Sequence, residues 1–174
     1  MICDLEPARR EYNLKFGKIL FSVPLLLFVL PLAHAATVQT ATGTFLTNST
    51  TTSFNTVNGF TIVTQNIVFE ISGDISGTFV AKDVIVISPT AQGSFAGGGT
   101  FTGTILGKSG SVGIAFTGTF VATSLTPPFT GQAKFVPGTG TGGLARISGS
   151  GMIQGTINVS GTYSFSVAFG PKDQ

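Results

Sequence analysis

The sequence predicts an all-β domain, and three observations lead to this prediction. Apolar and polar residues alternate with a period of two in several segments, most clearly over residues 112–122 and 153–169. A Gly-Thr-aromatic triplet recurs five times after residue 42. Glycines continue through residues 143–161, where each would cost a helix about 1 kcal/mol relative to alanine. The chain is therefore expected to form strands joined by turns.

The first 35 residues differ in composition from the rest and predict a helical secretory signal peptide. An apolar run occupies residues 19–32, and small residues follow at the two positions that a signal peptidase reads, ending at Ala35. A membrane anchor would need roughly 20 apolar residues, whereas this run is shorter and contains Pro24 and Pro31. We expect cleavage after Ala35 and a secreted or periplasmic protein. The basic residues before the run are Arg9, Arg10, Lys15 and Lys18.

Residues 36–174 are long enough for one domain with its own core. Residues 36–174 contain five basic and four acidic residues, so the net charge of the mature domain is +1. This charge is too small to predict nucleic-acid binding. Cys3 and His34 both leave with the leader. Without them the domain lacks disulfides, the Ser-His and Cys-His nucleophilic systems, and the usual zinc, copper and haem ligands. We therefore predict no catalytic residue, no metal, no cofactor, and no membrane association after cleavage.

The strand periodicity also predicts where the chain turns. Residues 153–169 carry apolar residues or glycine at odd positions, and at about 3.3 Å per residue they would span more than ~50 Å as one strand. A bulge or turn is therefore expected near residues 158–161. Three segments rich in polar residues or proline are predicted to be connections: residues 47–59, 88–89 and 126–128.

The Gly-Thr-aromatic triplets begin at unequal intervals, which excludes a solenoid and favours equivalent positions in a meander of strands. At each triplet the glycine is expected to let a curved strand bend or a neighbouring ring lie across it. The threonine should face outward and the aromatic residue inward. The triplets start at Gly43, Gly77, Gly99, Gly118 and Gly161.

Residues 135–151, "FVPGTGTGGLARISGSG", contain the spacing Gly138-x-Gly140-x-x-Gly143 that elsewhere binds a pyrophosphate. Such a site needs a following helix, and the later glycines exclude one. Residues 107–109, Gly-Lys-Ser, lack the upstream glycine of a P-loop, because position 102 is threonine. The glycines are therefore assigned to a tight turn with positive φ at Gly140 and Gly142, followed by a barrel strand over "GLARISGSG".

Residues 103–152 resemble a known family. "GTILGKSGSVGIAFTGTF" followed by "VPGTGTGGLARISGSG" is similar to the bacterial domain-of-unknown-function family 3224. The element Gly140-Thr141-Gly142-x-Leu144-x-x-Ile147-x-Gly149 also resembles allene oxide cyclases and plant dirigent proteins. The resemblance implies a single eight-stranded antiparallel β-barrel, allene oxide cyclase-like and calycin-like. It carries over no functional residue, since the acting residues of those proteins lie outside the shared element.

Few side chains remain as candidates for a site. Tyr163 lies on the apolar parity of its strand, where a core aromatic with a satisfied hydroxyl is the ordinary alternative to a ligand contact. Arg146 could reach a barrel mouth to hold a carboxylate, although an outward side chain is more ordinary. Glu70, Asp74 and Asp83 are expected in turns or on the solvated surface. The residues predicted to line the barrel interior and contact a ligand are Phe101, Phe116, Tyr163, Phe165 and Arg146.

Three classes of function are consistent with these features. The first is a secreted, non-enzymatic barrel whose Phe-rich interior is either packed or holds a small hydrophobic molecule. The second is a cyclase-, isomerase- or dirigent-like protein whose cavity constrains a reactive molecule. The third is a surface interaction module that uses a weakly charged Thr/Ser exterior and exposed edges. The sequence assigns no oligomeric state.

Overall fold

The computed structural model describes residues 37–170, which form a closed barrel of eight antiparallel strands. Each strand pairs with the next one in the chain, and β8 returns to pair with β1. This confirms the predicted all-β class and the eight-stranded antiparallel barrel. The predicted signal peptide lies outside the described residues. The strands are Val38–Val57 (β1), Phe60–Gly73 (β2), Ile75–Ile87 (β3), Gln92–Ile105 (β4), Lys108–Val121 (β5), Pro128–Phe135 (β6), Ile147–Thr156 (β7) and Ser160–Phe169 (β8).

The segment 47–59, predicted to be a connection, is instead mostly strand. β1 continues to Val57, and only Asn58 and Gly59 separate it from β2. Both residues have positive φ, 51° and 79°, as in the Asn-Gly turns that favour tight hairpins. The prediction was wrong because it weighted polar composition, whereas threonine is a good strand former on a solvated face.

The last two strands confirm the turn predicted within residues 153–169. β7 ends at Thr156 and β8 begins at Ser160, with Asn158 at a positive φ of 58° between them. Ile153 lies opposite Tyr163 in the register, so the odd-numbered residues on both sides of the turn face the interior. The long alternating run is therefore a hairpin rather than one strand.

The glycine-rich segment between β6 and β7 is a compact connection, as predicted, but two details differ. A short 3₁₀ helix covers Gly142–Leu144, and β7 begins only at Ile147, so Arg146 lies before the strand and not within it. Gly142 has a positive φ of 56°. Gly140 is instead required by a close approach, because a Cβ atom there would overlap the carbonyl oxygen of Leu144.

Aromatic rings lie across glycines on the neighbouring strand throughout the barrel wall. In each pair the two residues are register partners, and a Cβ atom on the glycine would overlap the ring. A bulky ring can thus turn into the narrow lumen only because its partner has no side chain. The pairs are Gly43–Tyr163, Gly161–Phe45, Gly93–Phe120, Gly118–Phe95, Gly97–Phe116 and Gly151–Phe165.

The Gly-Thr-aromatic triplets adopt the predicted arrangement for their aromatic residues and threonines. The five aromatic residues are all buried in the core, and the threonines lie on the outer face, half-buried or exposed. The glycines divide into two groups. Gly43, Gly118 and Gly161 face rings, whereas Gly77 and Gly99 lie against backbone atoms of the adjacent strand. The buried aromatic residues are Phe45, Phe79, Phe101, Phe120 and Tyr163.

Candidate functional site

The barrel lumen contains one continuous apolar cluster with Phe116 among its most connected rings. Its ring centroid lies 6.0 Å from that of Phe69, 5.9 Å from Phe79 and 6.1 Å from Phe95. The four aromatic residues predicted to point inward are all buried members of this cluster, which confirms their orientation: Phe101, Phe116, Tyr163 and Phe165.

Two small cavities remain inside the cluster. Their volumes are about 60 Å³ and about 40 Å³, and both are lined by Phe45, Phe69, Phe116 and Ile153. Tyr163 and Phe165 also line the larger one, whereas Phe101 lines neither. Pockets for drug-sized molecules are several-fold larger, at roughly 300–1,000 Å³. The lumen is therefore largely packed, with space for a few methyl-sized groups next to Phe116.

The hydroxyl group of Tyr163 is satisfied by backbone atoms at the β2–β3 turn. It accepts a hydrogen bond from the Ile75 amide at 2.9 Å and lies 3.0 Å from the Ile75 carbonyl oxygen and 3.2 Å from that of Ser72. Burial raises the pKa of the Tyr163 phenol; the backbone hydrogen bond at Ile75 opposes this rise, and Asp74 adds a smaller one. The ordinary alternative for this residue, a core aromatic with a satisfied hydroxyl, matches this arrangement.

A polar cluster interrupts the apolar lumen. Gln65 on β2 and Asp83 on β3 are register partners, and both side chains are buried on the inward face. The Gln65 Nε2 atom makes a long contact of 3.5 Å to Asp83 Oδ2 and donates to Asn158 Oδ1 at 3.3 Å. Asn158, in the β7–β8 turn, also lines the smaller cavity. The polar cluster thus adjoins the space inside the barrel.

Asp83 is only 5 % exposed, and its Oδ1 atom has no hydrogen-bond partner among the described residues. Burial raises the pKa of Asp83 from 3.8 to about 6, and the hydrogen bond from Gln65 opposes that rise. Opposite Asp83 stands Gly97, where a Cβ atom would come within 2.6 Å of the Asp83 Cβ and 2.7 Å of Phe116 Cζ. The carboxyl group and the Phe116 ring therefore share the space that this glycine leaves open.

The expectation that Asp83 would lie in a turn or on the solvated surface is wrong. Asp83 shares the inward parity of Phe79, Ala81 and Ile85, but the intervening residues of β3 include valines, so both faces of the strand look apolar in sequence. Alternation alone could not decide which face was buried.

The other two acidic candidates are exposed, as expected. Glu70 accepts a hydrogen bond from the Thr78 hydroxyl at 3.2 Å, and Asp74 accepts one from the Thr42 amide at 2.8 Å. The first hydrogen bond joins β3 to β2 on the outer wall, and the second joins β1 to the β2–β3 turn. Their ordinary structural roles are confirmed.

Arg146 is half-buried in the β6–β7 connection, where its carbonyl oxygen accepts a hydrogen bond from the Gly170 amide at 3.0 Å. Asn158, by contrast, follows the other end of β7. The ten residues of β7 span about 30 Å, so the fold places Arg146 and the polar cluster at opposite ends of that strand. Among the predicted site residues, Phe116, Tyr163 and Phe165 line the same cavity, and Phe101 belongs to the same apolar cluster without lining that cavity.

Sequence reasoning missed Gln65 and the role of Asn158. Gln65 lies between the apolar residues Val63 and Ile67 at the inward parity of β2, and this interruption was the available signal. Asn158 was predicted only as part of a bulge or turn. Its contact with Gln65 joins positions 93 residues apart, which a local pattern does not reveal.

The polar cluster of Gln65, Asp83 and Asn158 can contribute hydrogen bonding and proton transfer. Residues 37–170 contain no group of three or more His, Cys, Asp or Glu side chains that could hold a metal ion. No helix within the same range is both long and apolar enough to cross a membrane. What the site offers is one buried carboxyl group with an available oxygen, beside aromatic rings.

The fold and this lumen define a class: small, closed antiparallel β-barrels with an aromatic interior. A family described as "Protein of unknown function (DUF3224)" matches residues 41–167, and the chain belongs to this family. A similar solved structure is the crystal structure of a protein of unknown function from the DUF3224 family of Shewanella oneidensis MR-1. It is 17 % identical, with a TM-score of 0.65, and the alignment covers 78 % of this chain and all of that one. No curated protein matches the sequence.

Proposed function

We propose that this barrel binds a small, mainly apolar molecule in its lumen, with the Asp83 carboxyl group as the polar anchor. The observation that carries the proposal is the Oδ1 atom of Asp83, which is buried without a partner in the described chain. Buried polar atoms are nearly always hydrogen-bonded, and leaving one unpaired costs about 1–3 kcal/mol. A donor on a bound molecule would remove that cost.

The surroundings of Asp83 indicate the chemistry of the molecule. An ionised carboxylate only accepts hydrogen bonds. When the pH is above the Asp83 pKa of about 6, the site therefore favours a ligand with a hydroxyl or amine group. The neighbouring cavities are lined by phenylalanine and isoleucine, which favour an apolar body. Because the cavities are small, the molecule must be compact or must displace a ring such as Phe116.

Three matched probes test this assignment: toluene, benzyl alcohol and benzylamine. We expect the two polar probes to bind the wild type roughly tenfold or more tightly than toluene, because each donates to Asp83. The Asp83→Asn variant should reduce this difference for benzylamine most. Affinity is measured by NMR titration, with Glu70→Gln as the matched control for an exposed acid. Equal binding of all three probes by the wild type would contradict the role of Asp83.

A second candidate function is proton transfer on a bound molecule, as in the cyclase- or isomerase-like alternative. A carboxyl group with a pKa of about 6 in an apolar site is suited to general acid–base catalysis near neutral pH. Native mass spectrometry of protein from the producing host would reveal any co-purifying molecule. Incubation in D₂O then separates the two functions. Deuterium incorporation into carbon positions that Asp83→Asn abolishes supports catalysis, and its absence supports binding alone.

We further propose that the barrel acts outside the cytoplasm, in the periplasm or the external medium. The support is the basic, apolar and small-residue order of residues 1–35. N-terminal sequencing of the protein from its host should give a first residue of Ala36. A chain that retains Met1 in the membrane fraction would overturn this proposal.

A further inference from the structure

The distal part of β1 has a free edge. β1 pairs with β8 only as far as Leu46, and the next contact to that side is the Thr47 amide donating to the Val159 carbonyl oxygen at 2.9 Å. Beyond this point the strand pairs with β2 alone among the strands described. A bulge between Thr51 and Ser53 interrupts that pairing, and the ladder is regular again from Ser53 to Val57. We call these last five residues the β1 edge.

The β1 edge lacks the features that usually prevent strands from pairing between molecules. Residues 37–69 contain no charged side chain, and the edge contains no proline or glycine. All five edge residues are exposed, and Phe54 keeps 68 % of its surface accessible. The bulge interrupts the regular backbone between Thr51 and Ser53, whereas the backbone of the β1 edge remains regular. The edge therefore offers unpaired backbone groups next to an exposed aromatic ring.

We propose that the β1 edge pairs in antiparallel register with the β1 edge of a second copy of this chain. A two-fold axis at Asn55 places Asn55 opposite its own copy, Phe54 opposite Thr56, and Ser53 opposite Val57. Every backbone group on the free side then meets a complementary group, as an isologous interface requires. The Phe54 ring packs on the Thr56 methyl group of the other copy, and no like charges meet.

A second copy of this chain is the expected partner because the β1 edge is complementary to itself. A charged partner would find no opposite charge on the segment, whereas an identical uncharged strand meets no repulsion. Five residues bury less surface than a standard interface of roughly 1,600 Å², so the dimer is weak. We expect association to rise between about 10 µM and about 1 mM protein. The inference does not depend on a ligand in the lumen.

Cysteine cross-linking tests the register directly. Cys3 is the one cysteine of the chain, so replacing it by serine in every variant leaves a clean background. Asn55→Cys should form a disulfide-linked dimer under mild oxidation, since facing strand residues lie within the Cα separation that disulfides allow. Thr130→Cys is the matched control, because Thr130 is exposed on β6, a strand paired on both sides. Preferential cross-linking at position 55 supports the proposal, and equal cross-linking at both positions overturns it.

Sedimentation equilibrium provides an independent readout on the uncross-linked protein. Asn55→Lys places two positive charges opposite each other at the axis and should weaken the dimer at least tenfold without lowering the melting temperature. Thr130→Lys should leave association unchanged. A wild-type protein that remains monomeric at 1 mM, or a dimer that Asn55→Lys does not weaken, overturns the assignment. The first outcome would make an extended peptide from another protein the alternative occupant.

Discussion

The Ile75 amide donates a hydrogen bond of 2.9 Å to the Tyr163 hydroxyl, joining the start of β3 to the middle of β8 through the interior. Replacing Tyr163 by phenylalanine keeps the ring but leaves this buried amide unpaired. We expect the free energy of unfolding to fall by about 1–3 kcal/mol, as measured by urea denaturation. Thr162→Val, on the outer face of the same strand, is the control and should change stability by less than about 0.5 kcal/mol. Equal effects would show that the hydroxyl contacts contribute nothing.

The Asp83 carboxyl group predicts a specific pH dependence of stability. Its pKa is about 6 in the folded protein, above the value of 3.8 for an unburied carboxyl. Between these values the folded chain binds more protons than the unfolded chain, so stability is greatest at low pH and falls as pH rises toward 6. The fall attributable to Asp83 should be about 1–3 kcal/mol and level off above pH ~7.

Asp83→Asn isolates this contribution, because asparagine does not titrate and has nearly the same shape. Its unfolding free energy should not show the fall between pH ~4 and pH ~6, whereas Glu70→Gln should retain it. Chemical denaturation across that pH range gives both curves. A wild-type stability that increases with pH in a manner dependent on Asp83 would show that the carboxyl is stabilised in its ionised form.

Phe116 contacts rings on three strands and lines both cavities. Truncation to alanine should destabilise the barrel by roughly 3–5 kcal/mol, because a packed lumen cannot collapse around the missing ring. Thermal and urea unfolding measure the loss. A cost below about 1.5 kcal/mol, together with new uptake of toluene, would instead indicate that the interior readily accommodates empty space.

Two adjacent glycines on β4 provide a matched pair of substitutions. Gly97→Ala would place a methyl group near the Lys82 carbonyl oxygen and within 2.7 Å of both Asp83 and Phe116, and we expect a loss of about 1–3 kcal/mol from overpacking. Gly98 has no atom nearer than 3.1 Å to the same position, so Gly98→Ala should cost clearly less. Thermal unfolding of both variants compares them. Similar losses would mean that the close contacts at position 97 add nothing to the cost of replacing a glycine in this strand.

The Gly-Thr-aromatic triplets predicted a meander of strands with outward threonines and inward rings, whereas the closed eight-stranded barrel was implied by the resemblance of residues 103–152 to their family. The sequence did not predict that β1 extends to Val57, since polar residues form both loops and exposed strands. Asp83 was missed for a related reason: β3 is apolar on both faces, so only the pairing with Gln65 and Gly97 determines which face is buried. Such pairing depends on contacts between residues distant in sequence.

The ring-over-glycine pairs make the wall of the barrel a set of coupled positions. At Gly93 and Phe120, for example, the space available to one residue is occupied by the ring of the other, so neither can change alone without a clash or a void. Homologous barrels should therefore diverge at such sites by exchanging the small and the large residue between strands. A library that randomises both positions together should recover functional variants in which the two sizes vary inversely. The shape of the lumen would then be retained although the amino acid at each of the two positions has changed.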